Sequence, residues 1–261
     1  MYKLYNGDCL EIMPTLEAGS IDAIITDLPY GTTACKWDSI IPFEPMWCEV
    51  KRVLKPNGVF VTTASQPFTS ALVMSNPKWF KYEWIWDKRK SSGALNADIA
   101  PLKTHENIVV FCRGTSTYNK QMRQGKPRTD KASFIPNGDI RQDKRSVYRQ
   151  YKNKSGLYNP VSILDVSNAN QRDKIHPTQK PIALYEYLIR TYTNECETVL
   201  DITMGSGTTI IAAELTGRNS IGIEKDPDIF KTAQDRILHM CDAPKKVKKP
   251  EFDNGLQMEL V

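Results

Sequence analysis

The sequence predicts an α/β protein: a mixed, mostly parallel sheet with helices on both faces. Three observations carry that reading. Strand and helix signals alternate through the first hundred residues, and they alternate again after residue 181. Two of the strands also end in an acid, Asp27 and Glu224, as strands do when their carboxyl ends open onto a ligand crevice.

Each element follows from its own pattern. Residues 20–27, Ser-Ile-Asp-Ala-Ile-Ile-Thr-Asp, read as a buried strand. Residues 45–55 set Met46, Trp47, Val50, Val53 and Leu54 at helical spacing and stop at Lys55-Pro56-Asn57-Gly58. Residues 59–63 follow as a strand. Residues 82–86 and 107–111, rich in aromatic and β-branched side chains, are two more. Trp84 and Trp86 are expected to divide between core and surface, and His105 with Glu106 reads as a structural pair. Between 114 and 173 the periodicity fades into Gly, Pro, Asn, Ser and basic residues, punctuated by Tyr118, Phe134, Tyr148, Tyr151 and Tyr158. That composition describes an irregular insertion. Pattern returns with a proline-led helix over 181–190 and a strand over 198–202. A Gly205-Ser206-Gly207 turn, a helix over 208–215 and a strand over 219–224 come next. Asp226-Pro227 then caps a last helix running to about Met240.

Composition narrows the class. The chain has 261 residues, and no run of 18 apolar residues that would span a bilayer. Its N-terminus reaches Asp8 before any apolar stretch, unlike a signal peptide, so a cytoplasmic location is expected. Six cysteines with no C-x-x-C pair and three scattered histidines argue against a zinc site or a disulfide framework, so no metal is expected. The net charge of +5 is unevenly placed. Residues 113–174 hold 14 lysines and arginines against 5 aspartates and no glutamate, leaving the rest slightly acidic. A localised polyanion-binding surface and a solvated insertion with incidental bias both fit that imbalance. The lysine-rich stretch 244–250 reads as a solvated terminal tail.

Two motifs carry chemistry. Asp201-Ile202-Thr203-Met204-Gly205-Ser206-Gly207-Thr208-Thr209 joins a strand to a helix through a glycine turn, with Glu224 ending a strand soon after. Glycines let backbone approach a nucleotide-like ligand, and the later acid is placed to accept bonds from a ribose diol. The pattern G-x-G-x-x-G fails at Ile210, and no phosphate-binding lysine follows the turn, which points to a nucleoside without a pyrophosphate such as S-adenosylmethionine. Asp27-Leu28-Pro29-Tyr30 is the second motif. An exocyclic amino group on adenine or cytosine is a poor nucleophile, because its lone pair is delocalised into the ring. Asp27 and the Leu28 carbonyl can accept its two N–H bonds and localise that pair, while Pro29 stiffens the turn and Tyr30 offers a face to an extruded base. A bare D-x-P-Y also fits a turn that closes a strand. The strand-end position, with the glycine turn elsewhere, favours chemistry.

Together these motifs resemble the amino-methylating DNA methyltransferases, the N6-adenine/N4-cytosine family. Their order, tetrapeptide before glycine turn, resembles the β class, a circular permutation of the Rossmann-like class I fold. His176-Pro177-Thr178-Gln179-Lys180-Pro181 and Asn6-Gly7-Asp8-Cys9 resemble two further family segments. The resemblance implies S-adenosyl-L-methionine as cofactor. It implies a cofactor site drawn from Asp8, Cys9, Asp27, His176, Thr178, Lys180, Asp201, Thr203, Gly205, Ser206, Gly207, Thr208, Thr209, Glu224 and Lys225. It also implies one methyltransferase domain in two parts, 1–113 catalytic and 175–242 cofactor-binding. A target-recognition insert over 114–174 separates them, and a tail covers 243–261. It implies double-stranded DNA as partner, in a bacterial or phage setting, and, by analogy with relatives that often pair, a second copy of the chain; a role beside a cognate restriction nuclease and a solitary or phage-borne role are both open. Phosphates are expected to meet cations such as Arg141, Lys144, Arg145 and Arg149 in the insert, and Lys88 at a strand end. Adenine N6 is the expected target ahead of cytosine N4; methylation of RNA or of a protein amide, and a non-catalytic DNA-binding protein keeping the fold, rank behind both. Two positions depart from the family: Leu28 stands where proline is usual, and Thr203 where an aromatic is common.

Overall fold

The computed structural model describes residues 1–32, 38–129, 152–153, 155–168 and 179–242. The N-terminal segment forms a strand that the sequence pattern did not announce, β1 (Tyr2–Asn6), and then a single helical turn, α1 (Cys9–Ile12). β2 (Ile21–Asp27), α2 (Phe43–Val53), β3 (Leu54–Ala64) and α3 (Phe68–Ser75) follow. A long hairpin comes next, made of β4 (Phe80–Ser92) and β5 (Lys103–Cys112). Four two-residue strands, β6 (Arg123–Gln124), β7 (Arg128–Thr129), β8 (Lys152–Asn153) and β9 (Leu157–Tyr158), pair as β6 with β9 and β7 with β8. The chain then forms β10 (Ile163–Asp165), α4 (Ile182–Tyr192) and β11 (Thr198–Asp201). It closes with α5 (Thr208–Leu215), β12 (Asn219–Glu224) and α6 (Pro227–Asp242).

Eight strands form one sheet in the order β1-β12-β11-β2-β3-β5-β4-β10. From β1 to β3 every neighbour is parallel; β5 runs antiparallel to β3 and to β4, and β10 lies parallel to β4. The mixed, mostly parallel sheet is therefore present as the sequence predicts. Side-chain alternation decides the two faces. Ile24, Phe60, Val109 and Phe111 pack with Met46, Trp47 and Val50 of α2 and with Phe68 and Leu72 of α3. Ala23, Ile25, Val59, Val61, Ile108 and Val110 pack instead with Leu184, Leu188 and Ile189 of α4 and Ala212 of α5. Helices thus cover both faces, and α6 rests on α5 through Ala233 and Ile237.

Some local expectations are corrected. Leu54 opens β3 rather than ending the helix; the register shifts between its pairing with Ile21 and the next pair, Ala23 with Val59, so residues 55–58 bulge from the ladder. Trp84 and Trp86 are both buried, because residues two apart on a strand share a face. Their indole N–H groups donate to Tyr192 Oη and to the Val166 carbonyl, each at 2.8 Å. Glu106 pairs not with His105 but with Lys88, at 3.2 Å, which buries Lys88 instead of leaving it for a phosphate.

The contacts divide the chain into two compact units, one of residues 1–119 with 161–248, the other containing 120–160. β10 falls within the 114–173 stretch whose composition reads as irregular, and it hydrogen-bonds to β4 in the main sheet. Arg141, Lys144, Arg145 and Arg149 lie outside the described residues, as does the tail. Among the described residues no helix is long and apolar enough to cross a membrane.

Candidate active site

The two motifs lie far apart in sequence and meet because β11 pairs directly with β2, Val199 opposite Ala23 and Leu200 opposite Ile24. Asp27 and Asp201 therefore finish neighbouring parallel strands at the same edge of the sheet, where α/β folds bind ligands. Both line one cavity of about 600 Å³, which also receives Leu28, Pro29, Tyr30, Gly205, Ser206 and Glu224. That volume is typical of a small-molecule site.

Asp27 is held from several sides. Thr63, its register partner on β3, donates its hydroxyl to Oδ1, and the Tyr30 hydroxyl donates to the same oxygen at 2.9 Å. The Lys180 ammonium lies 2.5 Å from Oδ2. Burial alone would lower the lysine, but the carboxylates of Asp27 and of Glu106, 3.7 Å away, more than offset it and hold it above the ordinary value. Burial, followed by the charges of Asp27 and Glu106, pushes the Tyr30 phenol well up, so it stays a donor. The Tyr30 ring stacks on Phe68 with centroids 5.3 Å apart.

The turn itself is pinned by Asp38, whose carboxylate accepts the backbone N–H groups of Tyr30, Gly31 and Thr32 at 2.8–2.9 Å. Leu28, where the family has proline, is 3% exposed and packs into the core shared with α2 and α3. Burial and the Asp38 clamp hold the backbone there without a second proline ring. At the other departure, the Thr203 hydroxyl donates to the Asp27 carbonyl at 3.0 Å and shares a bond of 2.7 Å with the Thr26 hydroxyl. An aromatic at 203 would make neither bond.

On the other strand, Asp201 accepts bonds from Thr26, Thr209 and the Thr203 N–H. Its burial pushes the carboxyl up to about 6. Glu224 ends β12 and accepts the Gly205 N–H on one oxygen and the Asp226 N–H on the other. Burial raises its carboxyl despite both bonds. Asp8 caps α1 through the Leu10 N–H and meets the Lys225 ammonium at 2.9 Å. Burial alone would raise Asp8; those two partners outweigh it and bring it below the ordinary value. Cys9 is buried beside Asp8, which pushes its thiol up to about 12 and keeps it protonated.

Gly205 and Gly207 separate in role. Both have positive φ, +49 and +76, but only Gly205 is part of the cavity wall. A Cβ at Gly207 would sit 2.7 Å from Ile237 Cδ1, so its bareness lets α6 close on the turn.

Every described residue expected at the site lines this cavity except Gly207; Asp8, Cys9, Lys180, Thr203, Thr208, Thr209 and Lys225 are among them. Lys180, expected near the cofactor by resemblance, meets Asp27. His176 and Thr178 lie outside the described residues. Sequence reasoning missed Thr63, Glu106 and Asp38. Thr63 and Glu106 carry no motif, and only strand register brings them to Asp27 and Lys180. Asp38 follows the tetrapeptide closely, and its acidic side chain after a turn was the available signal.

Comparison with known proteins agrees with this arrangement. The DNA methylase family profile matches residues 21–235. The Type II methyltransferase M.HpaI of Haemophilus parainfluenzae is 29% identical over 251 residues, covering 90% of this chain and 74% of its own. The crystal structure of an M1.HpyAVI-SAM complex superposes with a TM-score of 0.60 at 26% identity, over 90% of this chain and 100% of that one. The PvuII DNA methyltransferase, described as cytosine-N4-specific, shares the fold at a TM-score of 0.62 with 18% identity, over 92% of this chain and 91% of its own. With the family profile spanning most of its length, and the tetrapeptide and glycine turn facing one cavity, this chain belongs to the N6/N4 DNA methylase family.

Proposed function

We propose that this protein transfers a methyl group from S-adenosyl-L-methionine to the exocyclic N6 of adenine, in a nucleotide flipped out of duplex DNA at a specific site. The observation that carries the reading is the shared cavity: the carboxylate of Asp27 and the glycine turn at Gly205 border the same space.

The residues fit the donor. Glu224 accepts one backbone N–H per oxygen, and a carboxylate has lone pairs for more, so ribose hydroxyls can donate there. Gly205 and Ser206 bring backbone to the ligand, Ile202 and Ile229 give apolar walls, and Asp8 with Lys225 borders the same space. The donor supplies an electrophilic methyl on a sulfonium centre. The chain then has to sharpen the nucleophile. Asp27 and the Leu28 carbonyl accept the two amine N–H bonds, which favours a pyramidal nitrogen with a localised lone pair. Lys180 and the two hydroxyls hold the carboxylate in place. Such preorganised electrostatics is the largest single catalytic contribution in many enzymes.

Cytosine N4 is the second reading, because its amine needs the same two acceptors and the PvuII enzyme shares the fold. The Type II name of the M.HpaI relative supports pairing with a restriction nuclease, in the cytoplasm where DNA lies. By the same resemblance the basic insert recognises the target, and two copies of the chain associate.

Incubation with labelled donor and unmethylated plasmid DNA, followed by nucleoside mass analysis, tests the reading. N6-methyladenine is expected; N4-methylcytosine moves the assignment to the second reading, and no labelled nucleoside overturns both. Asp27→Ala is expected to reduce transfer by at least about 100-fold. Its donor affinity should stay within a few-fold of wild type.

A further inference from the structure

The β4–β5 hairpin projects past the reactive edge of the sheet. Asp27, Thr63, Ile108 and Trp84 form one row across four strands. From that row β5 runs back to Lys103, which at about 3.3 Å per residue is roughly 16 Å beyond the Asp27 level. The tip, residues 93–102, lies farther still. It reads Gly-Ala-Leu-Asn-Ala-Asp-Ile-Ala-Pro-Leu, a composition suited to a core. Yet residues 89–95 and 97–102 are all exposed. Leu95 and Ile99 are 102% and 85% exposed, and Leu102 is 45%. Bare apolar side chains in such a cluster mark a contact surface.

The arms say what it contacts. Arg89 and Lys90 stand on one arm and Lys103 on the other, while Asp98 is the one acid between 89 and 103. The base of the hairpin is braced: Arg89 pairs with Asp165, Lys103 donates to Ser65 Oγ, and Ser92 donates to the Lys103 carbonyl at 3.2 Å. A braced base, the exposed ammonium of Lys90 and an apolar point suit duplex DNA, since Leu and Ile side chains wedge between base steps while a cation holds a phosphate.

We propose that the β4–β5 tip enters the duplex beside the target nucleotide, with Leu95 and Ile99 filling the space vacated by the flipped base. The inference rests on the DNA methyl-transfer reading. It locates the gap-filling element on the β4–β5 hairpin rather than in the basic insert.

The test is the Leu95→Ser/Ile99→Ser variant of the full chain; both side chains are exposed, so folding and donor binding should match wild type. The recognised sequence is first read from methylated plasmid DNA. Duplex oligonucleotides bearing it are then made with the target base paired, or opposite an abasic nucleotide that removes the pairing to be broken. A fall in kcat/KM of at least tenfold on the paired duplex is expected, against less than threefold on the abasic one. Equal losses on both, or none on either, would overturn the proposal. So would a change in sedimentation showing that the variant has lost self-association, which would assign the tip to a second copy. If wild type methylates no DNA at all, the underlying enzymatic reading fails, and the wedge is not the cause.

Discussion

The hydroxyl of Thr203 donates to the backbone carbonyl of Asp27 at 3.0 Å, joining the strand that leads to the glycine turn to the reactive tetrapeptide. Few contacts tie the two motifs so directly, and this one arises at a position where the family commonly has an aromatic ring. Because the bond is to backbone, it sets where β2 ends rather than how the Asp27 side chain points.

Replacing Thr203 by valine keeps the shape and removes the hydroxyl. The Asp27 carbonyl and the Thr26 hydroxyl each lose a partner, at a cost of about 1–3 kcal/mol. Urea unfolding should register that loss. The accompanying fall in kcat should exceed the change in donor affinity, because the disturbed backbone carries Asp27.

Lys180 is the cation between two carboxylates, 2.5 Å from Asp27 and 3.7 Å from Glu106. Lys180→Met leaves Asp27 Oδ2 without its cation, while Glu106 keeps Lys88 at 3.2 Å. Activity should fall by at least about tenfold, because the carboxylate that accepts the amine loses the ammonium holding it in place. A rate within about threefold of wild type would show that the lysine merely packs. Lys180→Arg should restore part of the rate.

The two glycines of the turn should respond differently to alanine. Gly207→Ala drives a Cβ to within 2.7 Å of Ile237 in a left-handed conformation, which should cost about 2–4 kcal/mol. At Gly205 the nearest atom is the Thr203 carbonyl at 4.0 Å, so alanine there should cost only about 1–2 kcal/mol of backbone strain. The ordering should invert for ligand binding, with Gly205→Ala weakening donor affinity more, because Gly205 borders the cavity. Thermal melts and calorimetric titration check the two halves.

Asp201 makes folding depend on pH in a direction opposite to most carboxyls. Its folded value of about 6 lies above the ordinary value of 3.8, so the unfolded chain gives up the proton more readily. Below about pH 4 both states are protonated and no penalty exists. As pH rises through about 6, the folded state loses up to about 3 kcal/mol relative to the unfolded one. The stability of wild type minus that of Asp201→Asn should therefore decline between pH 4 and 6 and stay level above 7.

Much of the fold was legible because its elements are written locally. The strand over 219–224 and the helix over 208–215 match their predicted bounds, since an apolar run ended by Glu224 and a glycine turn need no distant partner to be read. β4 and β5 were read too short. Their outer halves are polar; Lys88-Arg89-Lys90 bulge from the ladder between the Asp87–His105 and Ser92–Lys103 pairs, and those flanking pairs extend both strands. β1 and β10 were missed for a related reason: as sheet edges they borrow stability from β12 and β4 rather than from an apolar pattern of their own.

The linear chain by itself determined the chemistry on offer: a carboxylate and a carbonyl for an amine, and a glycine turn with a later acid for a nucleoside. Those features depend on residue type at short spacing, which any stretch of polypeptide displays. Only the tertiary structure decided that Lys180, Thr63 and Thr203 converge on Asp27, that Glu106 serves Lys180 rather than His105, and that Gly207 packs while Gly205 borders the cavity. Those outcomes depend on which strands become neighbours. That choice is settled by burying two apolar faces of one sheet at once, and it leaves no mark on any single segment.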